Sequence, residues 1–320
     1  MGGRLRDNDH NVSNPKLPPL RVVITSPIWI RCHHCNKFEL PDIGQGVKAY
    51  FFGKGLVCGN CRERIDWWEA VQHILRSTFN NLLFGMIGAK VSNFNFQLRA
   101  NEVVELNLVH SGVPESAVVL HTTYVPFTQG LMPIVIGANP TSKYVHAKQF
   151  TILGFPQGEP VEMSMVHVSV TWVDHNKEEH SIRNMVLAFD MFHNRQFERA
   201  VIPAQVAVET PLYLVMQRVL RRYGSKDHVD NFLAVATYSH QLNVLLPMIC
   251  QTNGFPALPD HIRGLMNKLR KYRNSLAHSG TLKASLQREE MAELLAASLF
   301  TASYIGFLNE HLHQMDKRDR

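Results

Sequence analysis

The chain has 320 residues, 45% of them hydrophobic and 19% charged. That composition excludes a disordered protein, and the length exceeds what one hydrophobic core usually serves, so two or three domains are expected. The net charge of +6 at neutral pH fits a nucleic-acid partner without demanding one.

Residues 1–20 form a polar arm rich in Asn, Asp and Arg that ends in Pro15, Pro18 and Pro19. The arm has no apolar run of the kind a signal peptide needs. The most apolar stretch, residues 291–308, still carries Glu293, Ser298, Thr301 and Ser303, and reads as a buried helix rather than a membrane span. The expectation is a cytoplasmic protein with no membrane partner.

Residues 21–80 hold four of the five cysteines. Residues 21–30 alternate and are rich in β-branched side chains, as a strand would be. Cys32-His-His-Cys35 and Cys58-Gly-Asn-Cys61 are separated by 22 residues. Each Cys-x-x-Cys turn can aim two thiolates at one tetrahedral metal, so the pattern reads as a metal site rather than a disulfide framework. Between the pairs, residues 47–52 read as a strand and Gly53-Lys-Gly55 as a tight turn. Over residues 28–65 the pattern resembles the zinc ribbons, and Gly59 fits their preference for glycine after a cysteine. Four cysteines close the coordination shell, so one structural Zn2+ per chain is expected; His33 and His34 are read as exposed neighbours, with substitute ligands as the other reading. Whether such a ribbon contacts nucleic acid or protein, or only replaces a missing core, stays open. Residues 65–75 have helical spacing, with Trp68, Val71 and Leu75 on one face. Trp67 and Trp68 are read as anchors of the ribbon onto the next domain. The fifth cysteine, Cys250, lies in an apolar run and reads as a buried thiol.

Residues 81–180 change to period two. Strands are expected around Phe94–Phe96–Leu98, Val104–Leu106–Leu108, residues 118–125, residues 131–136 and residues 163–172. Turn signals recur at Gly112, Gly137-Ala-Asn-Pro140, Gly154, Gly158 and Asp174-His-Asn-Lys177, which suits an antiparallel β-sandwich or small barrel. His110, His121, His146 and His167 are scattered over it and form no catalytic constellation. A protein or small-molecule trigger is the partner expected for this domain, on fold class alone.

Residues 181–320 read as a bundle of five helices. The first covers residues 181–192. The second covers residues 196–223 and should be kinked or split by Pro203 and Pro211. Asp227 is expected to cap a third that runs to about Cys250, and Asp260 a fourth that ends at His278-Ser-Gly280. A fifth, over residues 285–313, is apolar almost all round and should sit in a core or an interface. The fold class expected is therefore multidomain α+β: a four-cysteine zinc ribbon, a β-sandwich-like domain and a helical bundle.

The fourth helix carries the chemistry. From Arg263 to His278 it has five cations and no acid. Arg270, Asn274 and His278 are spaced i, i+4, i+8 and share a face, with Arg273 on the flank. A guanidinium, a carboxamide and an imidazole are thereby offered to one phosphodiester. An imidazole titrates near neutrality and can move the proton of a 2′-hydroxyl or a leaving 5′-oxygen. An arginine can neutralise charge that develops on phosphorus oxygens. Arg270, Lys268 and Lys271 are candidate RNA-phosphate contacts. A plainer reading also holds: a cation and a His in the last turn complement the helix dipole, and Gly280 makes an ordinary C-terminal cap.

Arg273-Asn-Ser-Leu-Ala-His278, an arginine followed by a polar residue and then His five positions on, resembles the signature of the HEPN superfamily. Phe197-Glu-Arg-Ala-Val-Ile-Pro-Ala-Gln-Val-Ala-Val-Glu209 is similar to that family's early helix. The likeness spans about residues 185–312. It implies an α-bundle that dimerises and, in many members, a metal-independent endoribonuclease of toxin or antiphage-defence systems. By that resemblance Arg273 and His278 are catalytic, Asn274 assists and Glu209 orients the site; a buried helix–helix hydrogen bond is an equal reading of Glu209. One imidazole per chain implies that a homodimer partner completes the acid–base pair. Family toxins that pair with a nucleotidyltransferase antitoxin carry Tyr two residues after the His, where this chain has Gly280. The other function class compatible with these residues is a non-catalytic RNA- or protein-binding adaptor whose bundle only dimerises.

Overall fold

The computed structural model describes residues 30–32, 34–35, 38–39, 43–77, 81–128, 130–136, 149–159, 161–174, 179–282 and 284–318. The polar arm, most of the expected strand at residues 21–30, His33, His146 and the turn at residues 137–140 lie outside them, and the turn expected from Asp174 leaves them after its first residue.

Two short antiparallel hairpins carry the cysteines: β1 (Ile30–Arg31) with β2 (Phe38–Glu39), and β3 (Leu56–Val57) with β4 (Arg64–Ile65). The segment between them corrects the strand expected at residues 47–52. It belongs to a helix, α1 (Ile43–Phe51). Val47 and Phe51, one turn apart, are both buried, and the rings of Tyr50 and Phe51 meet aromatic side chains near the C-terminus. Spacing of buried groups outweighs the β preference of Val, Tyr and Phe here. The expected turn is present: Gly53 adopts φ 69, and its N–H and that of Lys54 return to the carbonyls of Tyr50 and Ala49. α2 (Trp67–Ser77) is capped by Asp66, whose Oδ1 accepts from the N–H of Trp68 at 2.8 Å and of Glu69 at 3.3 Å.

The β region contains two three-stranded antiparallel sheets. One has the order β5 (Lys90–Arg99), β10 (Met163–Asp174), β7 (Ala117–Pro126); the other β6 (Val103–Asn107), β9 (Gln149–Pro156), β8 (Leu131–Val135). Phe94, Phe96, Leu98, Val166, Val168 and Val170 from the first face Leu106, Leu131, Phe150 and Ile152 from the second in one core. The period of two seen in the sequence is the alternation between that core and the outer faces.

The remaining helices are α3 (Glu179–His193), α4 (Phe197–Leu220), α5 (Lys226–Val235), α6 (Tyr238–His240), α7 (Leu246–Thr252), α8 (Asp260–Ser279) and α9 (Arg288–Arg318). α4 runs unsplit through Pro203 and Pro211. Pro211 cannot donate to the carbonyl of Ala207, and the Ser181 hydroxyl of α3 donates to it instead. The helix expected from Asp227 to Cys250 is divided. Ser225 precedes α5, and Ala236 and Thr237 are extended. Thr237 then caps α6, and the chain passes through a π-type turn (Gln241–Leu245) into α7, bent by 106° from α5. Asp260 is the first residue of α8 rather than its cap; its carboxylate pairs with Arg263 at 2.6 Å.

α9 is the axis of this assembly. Leu294, Leu295, Leu299, Phe300, Tyr304 and Leu308 are fully buried. The hydroxyls of Ser298, Thr301 and Ser303 donate back to carbonyls one turn earlier at 2.7–2.9 Å, so the helix buries them without leaving them unbonded. Among the described residues, Arg288–Lys317 is the one unbroken helix long and apolar enough to cross a membrane, and 83% of its apolar window is buried inside the fold.

The Cys module docks on these helices. Phe300 of α9 receives the rings of Tyr50, Phe51 and Trp68, and Trp68 also meets His261 of α8. Trp68 is thus an anchor, but its seat is the C-terminal helices and not the next domain in the chain. One buried cluster holds Cys32, Cys58, Trp67 and the apolar faces of α3, α4, α8 and α9, while the sandwich core is separate.

Candidate functional site

The first candidate is the cysteine quartet. The two hairpins bring the Sγ atoms of Cys32, Cys35, Cys58 and Cys61 within 4.8 Å of one another. Cys32 faces Cys61 at 3.6 Å and Cys35 faces Cys58 at 3.7 Å. A disulfide needs about 2 Å. Four thiolates at zinc–sulfur distances on a tetrahedron lie about 3.8 Å apart, so the spacing fits metal ligation. Arg62, at φ 64, turns the second pair: its N–H donates to the Cys58 carbonyl at 3.0 Å, and the Cys58 N–H to the Glu63 carbonyl at 2.9 Å. Cys32 and Cys58 are buried, Cys35 and Cys61 half-buried, and His34 is exposed beside them. The four cysteines can hold a metal ion, and a filled thiolate shell leaves no position for a substrate.

The second candidate is the C-terminal end of α8. Ile262, Met266 and Leu269 hold the helix to the core. Gly280, at φ 72, ends it with an N–H···O bond to Leu276 at 3.0 Å. Arg270 and Asn274 are half-buried and His278 is exposed, so the shared face emerges from the fold towards the helix end. Arg273 donates to Oδ1 of Asn274 at 3.3 Å, which ties these two neighbours together. Lys271 is exposed. Lys268 is on a different face and pairs with Glu290 of α9 at 2.5 Å, and the Tyr272 hydroxyl donates to the same carboxylate at 2.6 Å. Burial opposes ionisation of Glu290, but these two donors hold its carboxyl below the usual range. Lys268 thereby ties α8 to α9 while remaining exposed.

Behind the Arg270 face lies a polar seam that the sequence did not announce. Asn243 of the π-type turn and Asn267 of α8 exchange amide hydrogen bonds at 3.0 Å, one turn before Arg270. Tyr238 and Gln205, on α6 and α4, are buried, and Glu209 is half-buried one turn beyond Gln205. Burial raises the Tyr238 phenol well above its usual value. Gln205 opposes that shift by its nearness, although the geometry of a full hydrogen bond is not met; Glu209 adds to it and Arg270 opposes it. Glu209 and Arg270 are thus both close enough to Tyr238 to act on it. A glutamine inside the Ala- and Val-rich run of α4 was the available clue, since an unpaired polar residue on a buried face calls for an explanation.

No family model, curated protein or solved structure matches this chain.

Proposed function

We propose that this chain is a metal-independent endoribonuclease of the HEPN type, with Arg273, Asn274 and His278 as its site and a structural Zn2+ on Cys32, Cys35, Cys58 and Cys61 in a ribbon-like module. What supports the proposal is the Arg273–Asn274 contact one turn before the exposed His278 at the end of α8, on a stretch with no acid from Arg263 to His278. Such a face attracts a phosphodiester and has no carboxylate of its own to hold a catalytic metal. In the reaction the 2′-oxygen of RNA attacks phosphorus and the 5′-oxygen leaves, giving a 2′,3′-cyclic phosphate and a 5′-hydroxyl. One imidazole takes the 2′ proton and a second returns a proton to the leaving oxygen, while Arg273 neutralises the charge built up on phosphorus oxygens. A homodimer supplies the second imidazole. The β-sandwich region is where a protein or small-molecule trigger binds, as suits a defence or toxin effector. The site needs no membrane and acts in the cytoplasm.

The test is cleavage of RNA by the purified chain with EDTA present, comparing wild type, Arg273→Ala and His278→Ala. Cleavage lost in both variants supports the assignment; equal cleavage in wild type and His278→Ala removes it. A second reading, a non-catalytic RNA- or protein-binding adaptor, is favoured by the single imidazole each chain offers. It predicts RNA binding without new 5′-hydroxyl ends.

A further inference from the structure

The polar seam behind the α8 face holds five buried side-chain atoms with no hydrogen-bond partner among the described residues: both amide atoms of Gln205, the Tyr238 hydroxyl, Oε1 of Gln241 and Nε of Arg270. A folded protein keeps few such atoms, because each costs about 1–3 kcal/mol. Gln205 and Arg270 both lie close enough to Tyr238 to act on it, where α4 packs on α8 and on the π-type turn. The Asn243–Asn267 amide pair clamps that turn to α8. Gln241 is held by its other amide atom, which donates to the Ala236 carbonyl at 3.0 Å. Arg270 crosses the boundary: Nε is buried and the side chain as a whole is half-exposed, which leaves its terminal nitrogens at the surface. The seam is therefore rigid, polar and unsaturated at the base of a surface guanidinium.

We propose that Tyr238, backed by Gln205, is a positioning residue for Arg270, which it holds as a phosphate contact beside Arg273 and His278; this rests on the endoribonuclease reading above. The donors and acceptors match. In the phosphate-bound form Arg270 Nε–H donates to the Tyr238 oxygen, and the Tyr238 hydroxyl donates to Oε1 of Gln205. A phosphate on the terminal nitrogens draws the guanidinium into line and completes that chain. The unmet atoms of the free protein are the resting form of a relay that closes on the substrate.

The test uses the full chain with Tyr238→Phe and, as a second variant, Gln205→Leu. Removing a buried hydroxyl that has no partner does not destabilise a fold, so the melting temperature should stay within about 2 °C of wild type. Steady-state cleavage gives KM and kcat, and a labelled single-stranded RNA oligonucleotide gives Kd in the His278→Ala background, where no turnover interferes. Loss of the charge-assisted hydrogen bond predicts that KM and Kd rise about tenfold in Tyr238→Phe, and loss of the neutral bond behind it about threefold in Gln205→Leu, with kcat changed by less than about threefold in each. Wild-type KM and Kd in Tyr238→Phe, with His278→Ala inactive, overturn this inference and leave the endoribonuclease reading standing. A fall in melting temperature of more than about 5 °C also overturns it, since the hydroxyl is then a bond of the fold. Full cleavage by His278→Ala removes the reading beneath it and this inference together.

Discussion

Phe300→Ala tests whether the Cys module and the C-terminal helices share one core. Phe300 is fully buried and its ring stands edge-on to Tyr50 at 5.0 Å, Trp68 at 5.2 Å and Phe51 at 6.1 Å. Truncating a buried phenylalanine costs about 3–5 kcal/mol through lost transfer energy and the cavity left behind. Each aromatic pair adds about 0.5–1.5 kcal/mol, with the three not fully additive. The sum is placed at about 5 kcal/mol, large against the ~5–15 kcal/mol that holds a domain together. Phe300→Leu keeps most of the volume and should cost about 1–1.5 kcal/mol. Urea unfolding measures both. Native-state labelling of thiols adds a local readout: Cys32 and Cys58 are buried beside this interface and should react faster in Phe300→Ala than in wild type once chelator has cleared any metal. A loss below about 1 kcal/mol for Phe300→Ala would refute the shared core, because a ring buried among three others cannot be removed that cheaply.

Cys58→Ser removes one of two buried ligands, so metal analysis should fall from about one zinc per chain to near zero, with a lower melting temperature; retention of the metal would contradict a four-cysteine site. Lys268→Ala breaks an exposed ion pair with Glu290, so it should cost less than about 1 kcal/mol in urea unfolding and leave RNA affinity unchanged; a large drop in affinity would return Lys268 to the phosphate-binding set. His193 is pulled down to about 4 from 6.5, chiefly by burial, with Arg288 lowering and Asp190 raising it. The unfolded chain therefore binds the proton first, and stability should fall as pH drops from about 6.5 to about 4. Urea midpoints at pH 7 and pH 5 should show a smaller difference in His193→Gln than in wild type; equal slopes would exclude His193 as a source.

What the sequence made legible was what is local. The strands of the sandwich show because one face of each is buried, which writes a period of two into residues such as Phe94, Phe96 and Leu98. The cysteine quartet shows because two turns of fixed spacing are enough to define it. The end of α8 shows in Gly280, where a left-handed residue is needed. The illegible parts depend on distant partners. Val47 and Phe51 look like strand residues until Phe300 and Tyr304 are known to wait for them. Pro211 looks like a breaker until Ser181, on another helix, takes up the carbonyl it leaves. The pairing of Lys268 with Glu290, on another helix, is likewise invisible in the sequence. Tyr238 and Gln205 carry no motif, and only folding places them behind Arg270.

Cleavage of RNA by the purified chain in EDTA, followed by analysis of the new ends, tests the central claim most directly. The account predicts 2′,3′-cyclic phosphate and 5′-hydroxyl ends from wild type and none from His278→Ala or Arg273→Ala. Cleavage that persists in His278→Ala would contradict it.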